Sequence, residues 1–458
     1  MQTDPPAAPT APEDAAAPGM RIALVCDYSL EYLGGAQSAF LDQVRIMRER
    51  GHAVTVIAPV SGAAGAKGAK GAAGAAAAKG AAGTGGAAGT DGAAGGVDAW
   101  ANGPGGAVTV AARVRLAGVD LPVVRNTARL RARLHEELYA RGIEVVHLHS
   151  EFGLSAAAVA AARELGIPTV QTVHTFFWQA PMPRAIGVLA AAAVRGFTRW
   201  LRGFAAGHES LALRPLDSAL RNVTLSMGSR VDAVISPSAH QAERLRAAGL
   251  AHVHTVPNAI ALGDAPGEAL PADAATGPLR IVWVGRLVPE KRLLEFVDAV
   301  VSAAARLGPG ALEVEIIGEG PLRAEARQRA EAAPAGTLRF TGRLPRLQVS
   351  AAMRGADLVA LTSYGFDNQP MTVIEALHAG RSVLYVDPAL TEGLEACGIL
   401  ASHTPAGMAD AIVRLAEHPD EVVDASARAV VAAREFDPDV YLQRVRTVYA
   451  AAAARALP

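Results

Sequence analysis

Two carboxylates eight positions apart, Asp367 and Glu375, flank the turn Asn368-Gln369-Pro370 and the Met371-Thr372 pair that follows it. Residues 358–361 ahead of them form an apolar run of strand type, and a helix is expected from about Met371. The turn would then leave the carboxyl end of a strand and open a helix. A helix start offers N–H groups without intrahelical partners and the positive end of a dipole, so it can hold an anion. Asp367 in the loop can face a reacting group, and Glu375 in the helix can take hydroxyls. The same spacing also fits a solvated loop followed by a helix with a surface glutamate, so other residues must decide it.

Cations stand at a comparable junction. Arg286 lies in a Gly285-Arg286 turn after the strand-like run 280–284, and Lys291 lies at the start of a helix opened by Pro289. Both would project toward a crevice, where two cations can hold a diphosphate leaving group in place of a metal. Three histidines, His147, His149 and His174, fall at or near carboxyl ends of the expected strands 145–149 and 169–173, where open α/β sheets bind ligands. His147 alternates into the sheet and reads as structural. The Gly34-Gly35 pair precedes a helix expected over 36–49, and there the backbone can approach a diphosphate closely or simply turn.

Positioning these groups needs an alternating βα chain, and the sequence has one. Buried-type strands are expected at 21–26, 53–58, 107–114, 145–149, 169–173, 231–235 and 253–256, and again at 280–284, 312–317, 338–341 and 358–361. Helices at 127–141 and 154–165 alternate with them. The fold class is therefore α/β, with two doubly wound Rossmann-like domains facing a central cleft. The first covers 20–258 and the second 279–435, joined by a linker over 259–278 rich in Ala, Pro, Gly and acids. Residues 1–19 read as a disordered tail without the basic start and apolar core of a secretory signal. Residues 61–96, nearly all Gly and Ala with three lysines, read as a disordered insertion. Asp437-Pro438-Asp439 reads as the N-cap of a last helix.

Composition excludes several classes. The chain has 458 residues, 51% of them hydrophobic, and a formal net charge of −1, so no global basic field points to nucleic acid. Its two cysteines, Cys26 and Cys397, match no disulfide framework or metal spacing and fit a reducing cytoplasm. The apolar run 185–194 is too short to span a bilayer. Nearby, Phe197, Trp200, Leu201 and Phe204 share a helical face with Arg195, Arg199 and Arg202 close by. That pattern suits a basic amphipathic helix at the cytoplasmic face of a membrane, and equally a helix packing its aromatic side on a core.

In order along the chain these motifs resemble the retaining glycosyltransferases of family 4, the GT-B glycosyl transferases of group 1. Glu375-Ala376 keeps the second half of that family's acidic signature, and Asp367 takes the slot of its first glutamate. Gly34-Gly35, the His174 of Val173-His174-Thr175, Pro257-Asn258, Gly285-Arg286-Leu287, Glu290-Lys291 and Gly342-Arg343-Leu344 fall at further family positions. Ala259 stands where the family has a glycine.

The resemblance implies metal-independent transfer of a hexose from a UDP- or GDP-linked sugar to an acceptor hydroxyl, lipid-linked or in a cell-envelope glycan, with no cofactor. Under it Arg286 and Lys291 meet the departing diphosphate, Glu375 the ribose, Asp367 a sugar hydroxyl, and His174 the sugar from the opposite wall. Gly34, Gly35, Gly285, Asn368, Gln369, Pro370, Met371 and Thr372 join the donor site, while Arg343 and Leu344 meet the base. It also implies that the last helix, from 436 onward, crosses back onto the first domain. Aspartate is shorter than glutamate by one carbon, about 1.5 Å of reach, which leaves room for an epimerase or phosphorylase on the same fold. A binding protein without turnover is a further alternative.

Overall fold

The computed structural model describes residues 19–30, 34–61, 98–112, 114–116, 121–176, 184–261, 263–272 and 277–456. Of the tail expected over 1–19 only Gly19 falls within them, and of the 61–96 insertion only Ser61.

Each half of the chain builds one parallel sheet. In the first the strands lie in the order Ala107–Ala112, Ala53–Ser61, Arg21–Val25, Val145–Leu148, Thr169–Thr172, Ala233–Ser236, Val253–Thr255. In the second the order is Leu338–Gly342, Leu312–Ile317, Leu279–Val284, Leu358–Leu361, Ser382–Tyr385, Ile399–Leu400. The last two of these extend the sheet beyond the strands expected from the sequence. They are short runs, and Ile399–Leu400 has only two residues, too few for alternation to show. A small antiparallel pair, Arg115–Leu116 with Leu121–Pro122, ends the expected 107–114 strand early.

Strand order reverses at the centre of each sheet. In the first, Ile22 pairs with Val145 on one side while Arg21 pairs with Ala53 on the other. In the second, Ile281 pairs with Leu358 and Leu279 with Leu312. At such a switch point the loops after adjacent strands diverge to opposite faces and leave a crevice at their carboxyl ends. Asp27 and the 149–152 loop lie at the first crevice, and Arg286 and Asp367 at the second.

Strands buried on both faces need helices on both faces. Leu293–Leu307 and Pro405–Glu417 cover one side of the second sheet, where Trp283, Phe296, Val300 and Ile412 pack. Met371–His378 and Arg346–Gly355 cover the other, with Val282, Ile374, Leu377 and Met353. The last helix, Pro438–Ala456, buries Tyr441, Leu442, Val445, Val448 and Tyr449 against Ile22, Leu24 and Phe40 of the first domain. Asp437 Oδ1 caps it by accepting from the Asp439 N–H at 2.7 Å. Among the described residues no helix is long and apolar enough to cross a membrane.

Candidate functional site

Three βα loops of the second domain are laced together at its crevice. The Leu287 N–H donates to the Glu319 carbonyl at 3.0 Å, the Leu322 N–H to the Leu287 carbonyl at 3.1 Å, and the Gly318 N–H to the Gly342 carbonyl at 2.8 Å. Glycine is required where these loops cross. A Cβ on Gly318, whose φ is +140°, would stand 1.8 Å from the Gly285 carbonyl oxygen, and one on Gly320 would stand 2.4 Å from that of Leu287. Gly285 is buried at this crossing, and Arg286 leaves it half-buried. Arg343 is exposed, while Leu344 packs against the core on the Met371–His378 side.

Lys291 ends a single 3₁₀ turn, Pro289–Lys291, and Arg292 after it adopts a left-handed backbone with φ 53°. Arg292 is the only non-glycine described residue with positive φ. Such a conformation costs about 1–2 kcal/mol outside glycine. It separates the turn from helix Leu293–Leu307 and so sets the direction of Lys291. The Thr362 hydroxyl donates to the Lys291 carbonyl at 2.6 Å and itself accepts from Trp283 Nε1 at 2.9 Å. The Lys291 ammonium donates to both oxygens of Asp367, at 2.7 and 2.9 Å, and the Ser363 hydroxyl donates to the same carboxylate. The Lys291 side chain is 5% exposed and that of Asp367 0%. Asp367, expected to face a reacting group, directs its short side chain to Lys291.

Glu375, 6% exposed, lies in the second turn of helix Met371–His378. Its Oε1 is 3.6 Å from Arg346 Nε, and the same guanidinium forks onto Asp42 of the first domain with two bonds of 2.8 Å. Sequence reasoning missed Arg346, Asp42 and Ser363. Ser363 sits four residues before Asp367 and was open to notice, but nothing local marks an arginine and an aspartate 304 positions apart as partners.

The loop ahead of this helix clasps the first domain, in a way the sequence did not suggest. Asn368 Nδ2 donates to the Val173 and His174 carbonyls at 3.4 and 3.3 Å, and its oxygen accepts from the Ser238 hydroxyl. Gln369 Oε1 accepts from the Asn258 N–H at 2.7 Å. The side chains of Asn368 and Gln369 thus serve the domain contact. The buried Pro370, Met371 and Thr372 form the helix start itself. Gly34 and Gly35 open helix Gly35–Glu49 on the other domain, where the Gly34 N–H donates to Gln37 Oε1 at 3.3 Å.

His174 comes beside the acidic loop through these contacts. Its Nε2 is 2.8 Å from His149 Nδ1, and the rings stack with centroids 5.0 Å apart. Burial pushes the His174 imidazole down to about 4 and that of His149 well below its usual value, so both are neutral at pH 7. His147 is indeed structural: its Nδ1 meets the Tyr449 hydroxyl at 2.8 Å and its Nε2 the Thr172 hydroxyl at 2.7 Å.

At the first crevice Asp27 accepts from the Leu154 N–H at 2.7 Å and from the Ser150 and Ser155 hydroxyls at 2.8 and 2.5 Å. Glu151 accepts from the Thr224 hydroxyl at 3.0 Å, and burial raises its carboxyl to about 7. The amphipathic segment differs from expectation in three places. Arg202 is fully buried and donates to the Val223 carbonyl at 3.0 Å; burial lowers it to about 10, against the pull of Glu151. Phe204 lies past the end of helix Arg184–Arg202, between the guanidinium groups of Arg202 and Arg230 at 4.4 and 3.9 Å. Leu201 is buried. Arg199 remains exposed, and Arg195 and Phe197 are half-buried. Trp200 is 46% exposed and stacks on Phe197, continuing an outer apolar stripe with Ile186 and Leu189.

Comparison with known proteins fits this geometry. Residues 33–263 match Glycosyltransferase Family 4, and residues 278–418 match Glycosyl transferases group 1. The phosphatidyl-myo-inositol mannosyltransferase of Mycolicibacterium smegmatis is 24% identical, over 94% of this chain and 93% of the relative. The enzyme of the same name from Mycobacterium leprae is 26% identical, over 94% and 96%. Among solved structures, Anabaena HepE in complex with UDP and glucose superposes with a TM-score of 0.61 at 16% identity, covering 93% of this chain and 98% of HepE. Sucrose-phosphate synthase from Thermosynechococcus elongatus gives 0.58 at 15% identity, covering 93% and 98%. Two parallel sheets with interleaved helices, meeting at their switch-point crevices, are the GT-B fold, and the chain belongs to glycosyltransferase family 4.

Proposed function

We propose that this glycosyltransferase moves a hexose from a nucleoside-diphosphate sugar, UDP- or GDP-linked, to a hydroxyl of a lipid-linked acceptor, with retention and without a metal. The observation that supports the reading most is that Arg286 and Lys291 follow the second sheet's central strand, Leu279–Val284, while the Asp367-Asn368 loop bonded to Lys291 also reaches the His174 carbonyl. The bond from the sugar C1 to the leaving phosphate oxygen breaks, and one from C1 to the acceptor oxygen forms. The acceptor proton leaves on the diphosphate. Negative charge grows on that leaving group, and fixed cations in a water-poor site stabilise it more than they stabilise the bound donor. Glu375 takes the ribose hydroxyls, and the helix start at 370–372 takes phosphate. Neutral His174 offers the sugar a hydrogen bond without adding charge.

Relatives that carry the name phosphatidyl-myo-inositol mannosyltransferase favour a mannosyl donor and a lipid acceptor. The outer stripe of helix Arg184–Arg202, with Ile186 at 51%, Leu189 at 74% and Trp200 at 46% exposure, favours contact with the membrane that holds such an acceptor. Calorimetric titration of UDP, GDP and ADP into the wild type and Lys291→Ala tests the donor site. One nucleotide should bind, and the variant should lose about 1.5–3 kcal/mol, the range for hydrogen bonds to a charged group. Release of that nucleotide only when sugar donor and acceptor are both present, undiminished by a chelator, tests transfer. Saturable binding without release would mean a binding protein instead.

A further inference from the structure

We infer that His149 is a positioning residue for His174, holding that ring as the tautomer with its proton on Nδ1, so that His174 meets its ligand as a hydrogen-bond donor. This rests on the reading above in which His174 contacts the sugar, and it adds the residue that sets the direction of that bond. His149 Nδ1 lies 2.8 Å from His174 Nε2. Burial keeps both rings neutral at pH 7. A neutral imidazole carries one N–H and one lone pair, so the contact has a single donor and two arrangements satisfy it.

The rest of His149 chooses between them. Its other nitrogen, Nε2, is buried and has no hydrogen-bonding partner among the described residues. Were His174 the donor, the proton of His149 would have to sit on that Nε2, as a buried N–H with nothing to receive it. Orphaned buried N–H groups are rarer than unpaired acceptors. With His149 Nδ1–H as donor, only a lone pair is left unpaired at Nε2, and the proton of His174 goes to Nδ1. The Nε2 of His174 is then occupied by His149, and Nδ1–H is what the ring offers a ligand. His149 is itself held in place: its backbone N–H donates to the Val25 carbonyl at 2.8 Å, and the rings of Phe40 and His147 pack on it with centroids 4.9 and 4.6 Å away.

Proton–nitrogen correlation spectra of the protein isotopically labelled at histidine read each tautomer, and the histidine variants assign the signals. In the wild type at pH 7, without ligand, His149 and His174 should both show the Nδ1–H pattern. His147 is the reference for the opposite pattern, because the Gln43 amide and the Tyr449 hydroxyl meet its Nδ1 and leave its proton on Nε2 toward Thr172. His149→Leu removes the donor. It should let His174 mix tautomers and lower kcat/KM for the nucleotide sugar by about tenfold, a neutral hydrogen bond's worth, with affinity for the free nucleoside diphosphate unchanged. His149→Asn, whose amide N–H can stand in for Nδ1–H, should rescue both. A wild-type spectrum with the His174 proton on Nε2, or exchanging between both nitrogens, overturns the inference, and this measurement carries the test where His149→Leu does not fold. Equal losses in His149→Leu and His149→Asn, or none in either, overturn it too. A His174→Ala protein that transfers sugar as well as the wild type overturns the sugar-contact reading instead, and leaves the ligand-free tautomer as measured.

Discussion

Burial of ionisable groups around the first crevice gives the protein a pH signature that can be worked out residue by residue. Burial, with the charge of His174 as a lesser cause, lowers His147 to about 3, and burial lowers His174 to about 4; His149 moves the same way. Between about 4 and 6.5 these rings bind protons in the unfolded chain but not in the folded one, so stability rises with pH through that window. Glu151 opposes them. With its carboxyl raised from 4.5 to about 7, it holds a proton in the folded state that the unfolded chain has lost, and its contribution falls as pH rises from about 4.5 to 7. Burial also lowers His52, His240, His254 and His378 and raises Glu392, so histidines outnumber carboxyls and the net slope is positive. Urea unfolding at pH 4.5 and 6.5 should give a higher midpoint at 6.5. Glu151→Gln, which keeps an acceptor for Thr224, should steepen the rise by about 2 kcal/mol. A flat wild-type profile would mean that the histidines are solvated.

Two elements lend themselves to separate tests. Helix Gly35–Glu49 carries Asp42, 1% exposed, against the Arg346 fork from helix Arg346–Gly355. Asp42→Ala leaves a guanidinium at 19% side-chain exposure with the 3.6 Å contact to Glu375 and the charge of Asp264. The loss should be about 2–4 kcal/mol, below the full figure for a buried pair because Arg346 keeps some solvent. Because Arg346 also approaches the carboxylate assigned to the ribose, the same variant should weaken nucleotide binding. Thermal unfolding and titration together check this. Helix Arg184–Arg202 behaves oppositely. Leu189→Asp alters a side chain that is 74% exposed, so unfolding should be unchanged, while co-sedimentation with vesicles containing anionic phospholipid should fall by about tenfold. Equal sedimentation would leave the stripe without a membrane role.

The whole molecule is tied together at two levels. Above the sheets, Asn368 and Gln369 bond the second domain's acidic loop to Val173, His174, Ser238 and Asn258 of the first. Below them, helix Pro438–Ala456 returns the chain to the first domain, where the Tyr441 hydroxyl donates to Gln43 at 2.8 Å and Tyr449 meets His147. Tyr449→Phe leaves His147 Nδ1 with only the Gln43 contact at 3.1 Å. That should lower stability by about 1–3 kcal/mol, the desolvation of a buried polar group that loses a partner, without changing nucleotide affinity. Chemical denaturation paired with calorimetry separates the two readouts.

The alternating elements were legible in the sequence because their signals are local. The run Leu358–Leu361 is short enough and apolar enough to be a strand covered on both faces, Leu312–Ile317 alternates Glu313 and Glu315 with buried residues, and prolines, glycines and caps mark the helices between them. The site's cast was legible for the same reason, since Arg286, Lys291, Asp367 and Glu375 each stand at a strand end or helix start. Their partners were not. Whether Asp367 points to a sugar or to Lys291, 76 positions earlier, and whether Arg202 faces a membrane or the Val223 carbonyl, is decided by packing across elements. Side-chain direction at a loop is set by what competes for the charge in three dimensions, and sequence spacing does not encode that competition. The sequence by itself determined two parallel-sheet domains and which ionisable groups stand at their strand ends and helix starts. Only the tertiary structure decided which of those groups neutralise one another, because a buried charge takes the nearest counter-ion that the fold brings to it.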